Sequence, residues 1–196
     1  MVLRNGHLQY GAQLLLQLQI MKDSKLIALS AIATAMAVVA LIAGAYVPVL
    51  EYSALFIASL CSMLPLAKKS VKGAILSFAA TSLLAAFTAI AQPAMIIFYV
   101  VFFGLHPTVN YIMREKNFNK VLGVLIKAAW FVGAVLLIYF TFGEFLTEGT
   151  FLEREEVKKY VLLILTVGGA LLFIVYDLLM NRFQKFVDIT VARLKF

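Results

Sequence analysis

The chain has 196 residues, of which 63% are hydrophobic and 14% charged, and its mean hydropathy is +0.97. A soluble domain carries about 25% charged residues, and a globule of 21.7 kDa leaves too much surface in water to hide this apolar excess. Soluble enzymes, disordered tails and disulfide scaffolds are excluded, and an integral membrane protein is predicted.

Residues 1–20 hold four glutamines and an apolar run too short and too polar to cross a bilayer. They lack the small-residue cleavage site of a signal peptide. Two readings stand: an amphipathic segment on the inner face, or an extension upstream of a natural start at Met21, the second being favoured. Residues 21–196 are expected to form one transmembrane domain.

A hydrocarbon core about 30 Å thick and a rise of about 1.5 Å per residue require roughly 20 apolar residues per crossing. Six stretches qualify, at about residues 25–47, 51–66, 71–91, 93–112, 121–142 and 157–180. Their apolar residues run all round each helix, which suits a bundle in lipid better than a half-wet surface. The predicted fold is all-α, a polytopic six-transmembrane-helix bundle. Pro48, Pro65 and Pro93 punctuate the spans, because proline cannot continue a helix. Cys61, the single cysteine, has no histidine or cysteine at metal-ligand spacing and reads as a small buried hydrophobe.

The loops set the orientation. With the N-terminus inside, fourteen of the seventeen Lys and Arg fall on the inner side, Lys127 among them, with four acids. The outer side holds Arg154, Lys158 and Lys159 with six acids, so the net charge divides into +10 inside and −3 outside. This split predicts cytoplasmic N- and C-termini. Basic residues spread over four edges fit membrane lipids as the partner of this charge, not nucleic acid. The outer loop at 143–157 reads as a solvated surface, with a lid over an outward-facing pocket as the sharper alternative.

Motifs for chemistry are missing. There is no HExxH, GxSxG, Walker A or GxGxxG pattern, so no enzyme activity, cofactor or bound metal is expected. Tyr176 and Asp177 resemble half of an intramembrane aspartyl-protease pair, but no second aspartate lies in another span, and that chemistry needs two carboxylates sharing a proton. Asp177 is expected to snorkel or to pair with Arg182. The element Gly104, His106 and Pro107 should kink the fourth span, since Pro107 removes a donor and clashes with the carbonyl of Phe103, and His106 or Thr108 can satisfy the freed groups. Kink geometry or helix docking is the expected role of His106. On the first span, Ala31 with Ala35 and Ala33 with Ala37 make small-residue stripes that let helices approach closely in lipid.

Six spans with both ends inside, the Ala31–Ala35 stripe and a length of about 176 residues from Met21 resemble the substrate-binding (S) components of energy-coupling factor (ECF) vitamin transporters. The resemblance implies residence in the bacterial plasma membrane. It also implies that Ala31 and Ala35 contact a transmembrane coupling subunit, which works with two cytoplasmic ATPases. The substrate, a small molecule of unknown identity, would lie near the outer surface, lined by Tyr46, Glu51, Tyr52, Gln92, Tyr99, Tyr139 and Glu144. The outer halves of the third, fifth and sixth helices are nearly all Ala, Leu, Val, Ile and Phe, so a captured ligand would be very apolar. The alternative is a non-transporting scaffold that binds partners, as in the rod-shape-determining membrane protein family.

Overall fold

A computed structural model of the chain describes the backbone of residues 2–147, 157 and 159–193, and the side chains of residues 24–143, 157 and 159–193. Among the described residues there are six helical spans long and apolar enough to cross a membrane, and no strand. Helix α1 (Val2–Tyr46) is followed by a 3-10 turn (Pro48–Leu50), α2 (Glu51–Cys61), α3 (Met63–Ala67) and α4 (Val71–Thr88). Then come α5 (Pro93–Phe98), a π-helical segment (Tyr99–Phe103), α6 (His106–Glu115), α7 (Lys120–Thr147) and α8 (Val161–Arg193).

Proline accounts for both breaks inside spans. Pro65 has no N–H for the carbonyl four residues back, that of Cys61, and α2 ends at Cys61. Pro107 stands in the same relation to Phe103, where the π segment ends. The Gly104 N–H donates to the Tyr99 carbonyl at 2.8 Å, an i to i+5 bond that widens the turn. Gly104 is required there, because a Cβ would stand 2.5 Å from the Phe78 ring.

Boundaries differ from the expected ones where no proline marks them. The backbone of residues 2–20 continues into the first span as one 45-residue helix. Helix α7 runs to Thr147, but Phe142 leaves helical angles (φ −128°, ψ 15°), so its straight part ends where the fifth span was expected to end. The last helix runs thirteen residues beyond Met180, to Arg193. At 33 residues it is about 50 Å long, well beyond the hydrocarbon thickness. Of the expected 143–157 loop, residues 143–147 belong to α7 and residues 148–156 lie outside the described residues.

Turns at one end of the bundle are short and basic, carrying Lys68, Lys69, Lys72, Arg114, Lys116 and Lys120. Each closes its helix with one residue in the left-handed region, Lys69 (φ 58°) or Asn117 (φ 49°), and a six-residue backbone bond, Ser70 N–H to Pro65 O (3.0 Å) or Phe118 N–H to Met113 O (2.9 Å). The next helix is capped at once: Ser70 Oγ accepts from Gly73 N–H, and Asn119 Oδ1 from the N–H groups of Val121 and Leu122.

Helices in lipid gain little from hydrophobic burial against one another and rely on close packing. Small residues supply it here. Ala33, Ala37, Gly44 and Ala45 of α1 are buried, as are Ala54 and Ala58 of α2 and Ala74 and Ala85 of α4, and α1 packs along both α2 and α4. At Gly44 the backbones come so close that a Cβ would lie 2.4 Å from Ala54 Cβ. The large side chains collect in the middle, where Phe102, Phe103, Phe131, Phe173, Tyr99 and Tyr176 form one core.

Candidate functional site

The groups with chemical potential lie on α6, α7 and α8, below the aromatic core and toward the basic end. His106 opens α6 just after the π segment and is fully buried. Its Nε2 lies 3.2 Å from Asp177 Oδ1 on α8. The same oxygen accepts from Lys127 Nζ on α7, and both side chains of that pair are about 95% buried. Lys127 also donates to Asn110 Oδ1 (2.8 Å), Asn110 Nδ2 donates to Asn181 Oδ1 (2.8 Å), and Asn181 Nδ2 donates to the Asp177 backbone carbonyl (2.8 Å) and to Oδ2 (3.2 Å). Five polar side chains from three helices thus close into one network inside the bundle.

This arrangement corrects two expectations. Asp177 pairs with Lys127 and His106, not with Arg182, because its side chain points into the bundle while Arg182 is exposed. Lys127 is no loop charge: it sits two turns inside α7 and is buried. A charge held away from water must be neutralised by a partner or pay heavily, and Asp177 is that partner.

A third correction concerns the carbonyl of Phe103. It accepts from Ser59 Oγ of α2 at 2.8 Å, while Thr108 Oγ1 and His106 Nδ1 have no partner among the described residues. Ser59 spends its only hydrogen on that carbonyl, so the 2.9 Å contact with Tyr176 is one in which the tyrosine donates. Ser59→Ala therefore orphans two buried groups, and we expect a loss of about 1–3 kcal/mol in equilibrium unfolding in mixed micelles. A change within measurement error would mean that the carbonyl finds another donor.

The residues expected to line an outer pocket are dispersed. Tyr46 is exposed and donates to the Thr88 carbonyl (3.3 Å), tying the far ends of α1 and α4. Tyr52 is exposed on α2, and Glu51, Gln92 and Tyr139 are half-buried. Tyr99 is fully buried in the core, its ring beside Phe78. Its hydroxyl faces those of Thr81 and Ser62 without reaching hydrogen-bond geometry. The Glu144 side chain lies outside the described residues. No hydrogen bond or ring contact joins any two of the described six. On α1 the two small stripes separate: Ala33 and Ala37 are buried, whereas Ala31 and Ala35 are exposed.

Reading the sequence missed Lys127, Asn110, Asn181 and Ser59. The signal was available for the asparagines, since His106, Asn110 and Arg114 repeat every four residues on α6, and Asp177 and Asn181 do so on α8. Polar residues at that spacing in an apolar span share one helix face. Among the described residues no group of three or more His, Cys, Asp or Glu could hold a metal ion. No protein family, curated protein or solved structure matches the chain.

Proposed function

We propose that the chain is a membrane-embedded subunit of the S-component type, which captures a small molecule from the outer face of a bacterial plasma membrane and docks through α1 on a transmembrane coupling subunit served by cytoplasmic ATPases. In this reading both termini are cytoplasmic and the basic end faces inward. The observation that supports it is the division of the alanines on α1. Ala33 and Ala37 are consumed by packing within the bundle, while Ala31 and Ala35 line an exposed face one helical turn apart, where another helix can approach closely.

Pull-down with the coupling subunit tests it. Each of Ala31→Leu and Ala35→Leu inserts bulk into a close helix contact, at about 1–3 kcal/mol, so binding should weaken about five- to 150-fold per change. Undiminished binding by the double variant would remove the docking assignment.

The scaffold reading is favoured by one observation, the dispersal of Tyr46, Tyr52 and Tyr99 between surface and core. A thermal-shift screen with vitamins separates the two, because a ligand at about 100 times its dissociation constant stabilises by about 2.7 kcal/mol. A shift supports capture. Its absence, with partner binding intact, supports the scaffold.

A further inference from the structure

In the buried cluster one carboxylate faces two groups able to carry positive charge. Asp177 Oδ1 accepts from Lys127 Nζ and lies 3.2 Å from His106 Nε2, and Oδ2 accepts from Asn181 Nδ2. A lysine donor on one oxygen and an amide donor on the other define an ionised, acceptor-only group. His106 Nε2 therefore carries the hydrogen, Lys127 is an ammonium, and the cluster sums to zero with a neutral imidazole. The remaining ring nitrogen, Nδ1, is then a lone pair on a fully buried residue, and among the described residues it has no partner.

Polar groups run from the Asp177 side of the ring to the basic end. Along the seam between α6 and α8, polar residues face each other in three successive rungs. His106 meets Asp177, Asn110 meets Asn181 at 2.8 Å, and Arg114 meets Asp188 at 3.5 Å. The first rung is buried, the second part-buried and the third exposed. Such a column breaks the apolar seal that α6 and α8 would otherwise make, and gives water a polar route inward. Lys127 stands beside the first two rungs, since Nζ contacts Asn110 as well as Asp177. It lies seven residues into α7, counted from Lys120, about 10 Å along the helix, a depth from which a lysine can snorkel to the interface.

We propose that His106 Nδ1 is a proton-binding site, reached from the basic end along the α6–α8 seam, and that the bound proton and the Lys127 ammonium compete for Asp177. This inference does not depend on the transporter reading. A hydronium ion at the basic end breaks one O–H bond and is left as water, and the new N–H bond forms on Nδ1. With both cations in place the cluster would hold a net positive charge away from water, which is costly. Neutrality returns when the ammonium leaves Asp177 Oδ1 and snorkels toward the headgroups. The groups around the imidazole are few. Asp177 and Lys127 are the charges acting on it, and the Tyr176 ring on α8 stands 4.9 Å away. The π segment contributes Phe102 at 5.1 Å. From α2, Ser59 bonds the Tyr176 hydroxyl, and Cys61 is a buried thiol. Helix α3 has no titratable side chain, and α4 has Lys72, exposed at the basic end.

The chain has two histidines, His7 and His106, so His7→Asn leaves one to observe. The full chain, labelled with 15N in histidine and lysine and placed in nanodiscs, is titrated by NMR. We expect the neutral Nε2–H tautomer at high pH and reversible conversion to the imidazolium on acidification while the protein stays folded, with the buried Lys127 Nζ resonance moving at the same midpoint. An imidazole that stays neutral down to the pH at which the protein unfolds overturns the site, and an Nζ resonance that does not move overturns the competition. Lys127→Met should raise the proton affinity of His106 at least tenfold, about one pH unit, and Asp177→Asn should lower it by as much. A purely structural cluster would leave the midpoint in place in both variants, and that result would also overturn the proposal.

Discussion

Asp177→Ala will destabilise the protein by about 3–5 kcal/mol, the cost of removing one partner from a buried ion pair. The substitution leaves the Lys127 ammonium with the Asn110 amide oxygen as its remaining contact, strips His106 Nε2 of its acceptor, and leaves Asn181 Nδ2 with the backbone carbonyl of residue 177 alone. Replacing both charges, as Lys127→Met with Asp177→Leu, should fall within about 2 kcal/mol of the parent, because well-packed apolar residues often stand in for a buried pair at little cost. Unfolding by SDS titration in mixed micelles measures both. If the single variant matches the parent, the pair is not neutralising a trapped charge. If the double variant is as unstable as the single, packing around α7 and α8 matters more than charge.

The second large effect is expected at Phe102. Its side chain is fully buried and its ring centroid lies within about 6 Å of those of Phe103, His106, Trp130, Phe131, Phe173 and Tyr176. Phe102→Ala should cost about 3–5 kcal/mol. In lipid the loss is one of dispersion contacts around an unfilled space, since the lipid itself is as apolar as the core. Phe102→Leu keeps most of the volume and should cost less than about 1.5 kcal/mol. Equal stability of the alanine variant in the same micelle assay would mean that the π segment relaxes to fill the gap.

Architecture was legible because lipid imposes simple rules. Length and apolarity located all six spans, and Pro107 located the break inside the fourth; Pro65 was expected to close the second span, whereas the break it makes lies inside it. What failed was the interior chemistry. Lys127 looked like one more basic residue near a helix start, and its sequence neighbours give no hint that it turns inward. Burial became favourable only because α8 delivers Asp177 fifty residues later. Asp177 was placed by its nearest cation in sequence, Arg182, yet at five residues away Arg182 lies on a different side of α8 and is exposed. Ser59 carried no periodic signal, since its role is set by a proline in another span. Local spacing identifies partners on one helix; pairs across helices depend on the order of packing, which composition and periodicity do not encode. The alanine stripes were legible as small-residue faces, but only the fold separates the stripe used internally from the one left outside.

The bond from Ser59 to the Phe103 carbonyl has a further consequence. Pro107 deprives that carbonyl of its helical donor, and Ser59 replaces the donor from α2. The two positions therefore form one unit of inheritance. A chain that restores an N–H at 107 loosens the demand for a hydroxyl at 59, and losing the serine first is the harmful order. Mutational paths through this pair should run through position 107.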